Sequence, residues 1–310
     1  MTGEGTIDGQ GPRFFDTANP NPWGTYRKPP VQRPRMVQFV RVKGVRLSGV
    51  TFKDSPCWTM LVRSCENVDV DGITVTGDQK MINNDGIDFD CCRHVRVRRS
   101  RFKTGDDCLI VRAMREAGSD APAVCEDIVF EDCDLDSWCQ TIRLGCPSDD
   151  TIRNVRIRNI RAHGRNGIFA DYPERYLRPN DTGFMDIGDL EVDGYSGDFS
   201  DSALQIVSEP GVKVRSVNGL VFRNLRVRSR NPLRFIGNAG SEIGSVTLEN
   251  VTADIEKEGS PCIVAGCKGL VYKNVTLNRQ RQMDGPVESA PGSAAPLKRT
   301  KSVSWESSAN

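Results

Sequence analysis

Apolar and polar positions alternate along most of this chain in a nine-residue pattern, x-Φ-x-Φ-x-x-Φ-x-Φ, in which Φ is mostly apolar. The copies start at Gly44 (GVRLSGVTF), Asn67 (NVDVDGITV), His94 (HVRVRRSRF), Asp127 (DIVFEDCDL) and Asn154 (NVRIRNIRA). A degenerate copy starts at Asp189 (DLEVDGYSG), and three more start at Gly219 (GLVFRNLRV), Ser245 (SVTLENVTA) and Gly269 (GLVYKNVTL). Period-2 alternation on either side of a two-residue step predicts two short strands with a bend between them. The 2-3-2 apolar spacing and the many β-branched residues exclude a helical unit. The sixth place is often Gly or Asn (Gly49, Gly72, Asn159, Gly194, Asn224, Asn250, Asn274), residues that tolerate the left-handed backbone of a sharp corner.

The first apolar places are Val45, Val68, Val95, Ile128, Val155, Leu190, Leu220, Val246 and Leu270, separated by 23 to 35 residues. That interval suits one turn of a parallel β-solenoid, whose equivalent places stack about 4.8 Å apart. The longer turns must carry loops, and loops gathered on one face build sites. A β-sandwich is the alternative, but it would not keep one asymmetric pattern in nine places. Outward places are rich in arginine, among them Arg96, Arg98, Arg156, Arg158, Arg223, Arg226 and Arg228. They read either as a stripe for an acidic polymer or as solvated faces that discourage edge pairing. Overall charge favours the second reading.

The 310 residues hold 42 Lys and Arg against 41 Asp and Glu, a net charge of +1. No broad basic field for nucleic acid follows from that balance. No apolar run is long enough to cross a membrane. Two histidines leave little room for His-rich metal sites or Ser-His-Asp chemistry. Eleven cysteines, an odd number and in no CxxC pair, argue for buried thiols over a complete disulfide framework.

Three follow-on segments overlay: Asn84–Phe89, Asp106–Val111 and Gln140–Leu144. Matching Asp85 with Asp107 places them 22 residues apart, one short turn, at the start of the same strand, with Asp106 at the corner beside them. Three clustered carboxylates repel, which raises at least one pKa and leaves an acid beside ionised neighbours. Hydrolysis of a glycosidic bond needs that division of labour. Corner-forming Asp and Ca²⁺ binding are the competing explanations.

With these residues the sequence resembles glycoside hydrolase family 28, the polygalacturonase family. The resemblance is carried by Gly5-Thr6-Ile7-Asp8-Gly9-Gln10-Gly11, Ser55-Pro56-Cys57-Trp58, Asn83-Asn84-Asp85-Gly86-Ile87-Asp88 and Thr104-Gly105-Asp106-Asp107-Cys108. It implies an all-β chain forming a single right-handed parallel β-helix, a pectin-lyase-like solenoid of about ten turns. It further implies inverting hydrolysis, with Asp106 as general acid and Asp85 with Asp107 as bases. The sequence departs from the family in two places. Gln140 takes the place of the family histidine and cannot titrate. Phe169-Ala170-Asp171 falls where the family holds a uronate carboxylate with cations, and Arg143 is the candidate substitute, expected to point into the cleft. His163, on the wrong corner, is not assigned the missing role.

The resulting expectation is a glycosidase acting on a plant or microbial polysaccharide other than plain polygalacturonate. A polysaccharide lyase or epimerase, and a carbohydrate-binding solenoid without catalysis, are the alternatives. Asn83, Asp88, Gln140, Arg143, Asp171 and Tyr172 are the expected substrate contacts, the last two within the loop Asp171–Tyr176. Trp58 is expected either to floor the cleft or to pack in the core. Cys57, Cys91, Cys92, Cys108, Cys133 and Cys139 are expected to stack inward in preference to binding metal. Cys262 and Cys267 could form one disulfide in an exported protein. No metal, cofactor, nucleic acid or membrane partner is expected, and the protein is read as a monomer. Residues 1–280 are assigned to the catalytic β-helix, and residues 281–310, rich in Pro, Ser, Ala and Gly, to a tail. Without a charged and apolar leader after Met1 the chain reads as cytoplasmic; the family resemblance points to export, with the leader outside this sequence.

Overall fold

The computed structural model describes residues 1–116, 119–179, 181 and 183–290. Nearly every strand pairs in parallel with strands one coil earlier and one coil later. Each early coil passes through three short strands, for example Lys43–Ser48, Thr51–Lys53 and Met60–Arg63. Further along the corners tighten, and strands that are separate at first run together, as in Asp134–Leu144 and Thr151–Tyr172. Among the described residues there is no α-helix, only two short 3-10 turns at Gly11–Phe14 and Glu174–Tyr176. The fold is therefore a parallel β-helix.

The repeat sets the register. Val45 pairs with Val68, Val68 with Val95, Val95 with Ile128 and Ile128 with Val155. Val155, Leu190, Leu220, Val246 and Leu270 continue the stack. All nine point inward and are at most 4% exposed, and each contributes on the order of 1.5–3 kcal/mol through burial. The sixth place turns the corner in every copy with a positive φ, including Arg99 (49°) and Asp132 (54°), which are neither Gly nor Asn. Side chains along this corner bridge successive coils: Asn159 donates to Asp132 (3.1 Å), Asn250 to Asn224 (3.2 Å) and Asn274 to Asn250 (2.7 Å). These bonds offset the roughly 1–2 kcal/mol that left-handed backbone costs a residue with a Cβ.

Several outward arginines pair with acids on adjacent coils. Arg96 meets Glu131, Arg156 meets Glu191, and Arg223 bridges Glu191 (2.6 Å) and Glu249 (3.0 Å). They are solvated ladder charges of small individual worth. All eleven cysteines are free thiols, so Cys262 and Cys267 do not form the disulfide considered above. Cys92, Cys108 and Cys133 are buried, whereas Cys57 and Cys91 are half-buried. Of the expected tail, residues 281–290 lie against the last coil. Gly285–Pro286 pairs antiparallel with Val271 and Tyr272, and Ala290 bridges to Ala265. The remainder, 291–310, lies outside the described residues.

Candidate active site

The acidic cluster sits just before the third strands of two successive coils, Ile87–Asp90 and Leu109–Arg112. Ile87 pairs with Leu109 and Leu109 with Ile142, and the Gly86 N–H donates to the Asp107 carbonyl (2.8 Å). That register sets Asp85 beside Asp107, Asp107 beside Gln140, and Gln140 beside Asn166. The coils can approach this closely only because of two glycines. A Cβ on Gly86 would meet the Cys108 carbonyl at 2.2 Å, and one on Gly105 the Met81 carbonyl at 2.1 Å. Asn84 ties the two corners together by accepting from the Gly105 N–H (2.7 Å).

Asp85, Asp106 and Asp107 are 6%, 6% and 2% exposed. The Asp106 carboxyl accepts from the Asn83 N–H (3.1 Å) and the Asp107 N–H (3.0 Å). Asp107 accepts from the Gln140 N–H (3.2 Å) and faces an Arg143 guanidinium nitrogen at 3.5 Å. One Asp85 oxygen is buried with no partner among the described residues. Burial raises all three pKa values; for Asp85 and Asp106 the neighbouring carboxylates push further in the same direction. Arg143 and the Gln140 N–H oppose the rise at Asp107. The cluster therefore holds protons collectively, Asp107 giving one up most readily and Asp85 and Asp106 retaining theirs.

Arg143 projects outward as expected, in the same row as Asp88 and Ile110. It lies over the Tyr176 ring, 5.2 Å from the centroid. Asp88 is 3% exposed, and burial raises its pKa to about 8 against the pull of Arg112. Arg112 itself grips Asp149 with two bonds, 2.7 and 3.0 Å. Gln140 is buried with its side-chain oxygen unpartnered among the described residues. Asn83 adopts a left-handed backbone (φ 60°) and binds inward to Asp106 and Arg33, so it positions the acid.

One expected contact, Tyr172, does not present itself to a sugar. Tyr172 is 0% exposed and belongs to the core, because it follows Ile168 and Ala170 on the inward phase of its strand. Asp171 faces outward by the same alternation but is 2% exposed. The partly accessible aromatic of that loop is Tyr176, which is half-buried. His163 is exposed and pairs in register with Asp136 and Asp198, away from the acids. Trp58 is half-buried in line with Asp85, beneath Arg35, and is not a core residue.

The sequence reading missed Arg33 and Arg35, whose segment has no repeat to place it. Alternation at Val37–Val40 was the available signal. Among the described residues, Asp106, Asp107 and Cys139 bring potential metal-ligand atoms within 4.8 Å of one another. Burial and the two carboxylates drive the Cys139 thiol pKa well up. Its proton is thus retained for a hydrogen bond to Asp106, and a thiolate ligand is disfavoured.

Residues 1–134 match the family described as Glycosyl hydrolases family 28. A polygalacturonase of Medicago sativa is 34% identical over 113 residues, covering 36% of this chain and 26% of its own. A polygalacturonase of Cryptomeria japonica is 29% identical over 113 residues, covering 36% and 22%. The chain thus spans about a quarter of the length of such relatives. A hyperthermoactive exopolygalacturonase from Thermotoga maritima superposes with a TM-score of 0.68 at 21% identity, over 82% of this chain and 58% of its own. The family 28 exopolygalacturonase of Yersinia enterocolitica gives 0.61 at 15% identity, over 94% and 59%. These likenesses establish the right-handed parallel β-helix. The expected departure from polygalacturonate finds no support among the relatives.

Proposed function

Because residues 1–134 match glycosyl hydrolases family 28, we propose that the chain hydrolyses glycosidic bonds between acidic sugars at Asp85, Asp106 and Asp107. The single observation that carries this reading is the register that lays Asp85 beside Asp107 with Asp106 at the adjoining corner. Asp106 keeps its proton through burial and the neighbouring negative charge, and it protonates the departing glycosidic oxygen. Asp107, eased toward ionisation by Arg143, draws the proton from water as the water attacks the anomeric carbon, with Asp85 orienting that water. Arg143 supports an acidic substrate. It is pinned over Tyr176 one coil beyond Asp107, where a guanidinium can take a sugar carboxylate through two parallel bonds. Residues 1–290 would act together as the catalytic β-helix.

The test is hydrolysis of a galacturonate oligomer with the first product resolved by anomeric configuration. A product anomer opposite to that of the substrate supports single displacement. Asp106 and Asp107 approach within 4.8 Å, closer than the roughly 6.5–9.5 Å usual for inverting pairs, so retention is the informative failure and would overturn the assigned roles. An unsaturated product absorbing in the ultraviolet would replace hydrolysis with elimination.

A further inference from the structure

Residues 13–36 form a strap across the N-terminal side of the acidic cluster. Phe15 and Tyr26 pack with Met81 and Ile82. Arg33 donates to the carbonyls of Pro56 (2.9 Å) and Ile82 (2.7 Å) and to the Asn83 side-chain oxygen (2.8 Å). These bonds commit Arg33 to anchoring the strap against the loop that holds Asp106. The Met36 N–H then donates to the Trp58 carbonyl (3.2 Å), and Val37 pairs with Met60.

Carried back two residues, that register sets Arg35 beside Trp58, at the head of the row that continues through Asp85, Asp107 and Gln140. The Arg35 guanidinium lies over the indole, 4.3 Å from the ring centroid. Among the described residues no carboxylate or carbonyl accepts from it, and its Nε is buried without a partner. Two other cations nearby are committed within the protein, Arg33 as above and Arg112 by Asp149. A half-buried guanidinium stacked on an aromatic face, with the charge of Asp88 near it but no anion hydrogen-bonded to it among the described residues, is short of one charge-assisted partner.

We propose that Arg35, positioned by Trp58, is a carboxylate-binding subsite for an acidic sugar two coils, about 10 Å, from Asp85, on the side of the cluster opposite Arg143. The proposal rests on the acidic-sugar reading above. It adds that the substrate is gripped through carboxylates on both sides of the cleaved bond. The N-terminal strap is then part of the substrate cleft as well as a cover for one end of it.

The test compares wild type with Arg35→Ala and Arg35→Lys on a galacturonate oligomer and on its fully methyl-esterified form. Binding of both glycans to Asp106→Asn, with and without Arg35→Ala, is measured by calorimetry. Loss of a bidentate charged contact should raise KM on the acidic oligomer about tenfold, with a much smaller change in kcat. Lysine should recover part of that loss, and the methyl ester should show no difference between the variants. An Arg35→Ala protein with wild-type melting behaviour and KM within twofold on the acidic oligomer would overturn the subsite. An equal loss on both glycans would overturn it too, reducing Arg35 to a packing residue. If wild type neither cleaves nor binds the acidic oligomer, the substrate reading itself falls, and the subsite with it. Should Arg35→Ala fail to fold, the lysine variant and the ester comparison still decide.

Discussion

Replacing Asp106 with Asn bears most directly on the acid assignment. The carboxyl accepts two backbone N–H groups, from Asn83 and Asp107. An amide offers one oxygen, so one of these donors loses its acceptor, at about 1 kcal/mol. Relief of the repulsion with Asp107 offsets part of that cost, since the two groups approach within 4.8 Å. The melting temperature should therefore move by less than about 4 °C. Activity should respond far more. Removal of a positioned proton donor typically costs 10²- to 10⁴-fold in kcat, about 3–5 kcal/mol of transition-state stabilisation. The pH profile supplies an independent sign. In the wild type, activity should rise as Asp107 ionises and fall as Asp106 loses its proton, so the variant should keep the acid limb and lose the alkaline one. The assay is kcat and kcat/KM on a galacturonate oligomer from about pH 4 to 9, alongside thermal unfolding. A folded Asp106→Asn protein that keeps more than a tenth of wild-type kcat, or retains the alkaline limb, refutes the assignment of Asp106 as the acid.

Asp88 should make stability depend on pH. Burial raises its pKa to about 8 from the ordinary carboxylate range, so the folded protein binds the proton more tightly than the unfolded chain. The associated stability is complete below about pH 4 and is lost as pH climbs toward 8. Asp88→Asn should remove about 1–3 kcal/mol of the difference between pH 5 and pH 8 in urea unfolding; identical pH dependence in the two proteins would contradict it. Tyr172→Phe deletes a buried hydroxyl that has no hydrogen-bond partner among the described residues. Stability should hold or rise by about 1 kcal/mol, with KM unchanged, and a marked rise in KM would return Tyr172 to the cleft.

The acidic cluster was legible because its spacing equals one coil. Asp85 and Asp107 lie 22 residues apart, and parallel pairing converts that interval into direct adjacency. Gln140 and Arg143 followed from the same arithmetic. Tyr172 was misplaced although its phase was available: Ile168 and Ala170 point inward, and in a strand a step of two keeps the face. Arg33 and Arg35 lay outside every repeat copy, with only the short alternation at Val37–Val40 beside them to read. Their strap contains no repeat, and its position depends on Phe15 and Tyr26 reaching Met81 and Ile82 from more than fifty residues away.

The amino-acid sequence by itself determined the coil, its register and the meeting of three carboxylates, since a repeated apolar pattern with a left-handed corner can bury its apolar face only by stacking. Tertiary structure alone decided what surrounds those acids: Arg35 on Trp58, Arg143 on Tyr176, and Asp171 closed off from solvent. The reason is physical. Stacking obeys a local period that any stretch of chain displays, whereas the non-repeating strap and loop settle wherever distant side chains can bury apolar surface and satisfy their hydrogen bonds.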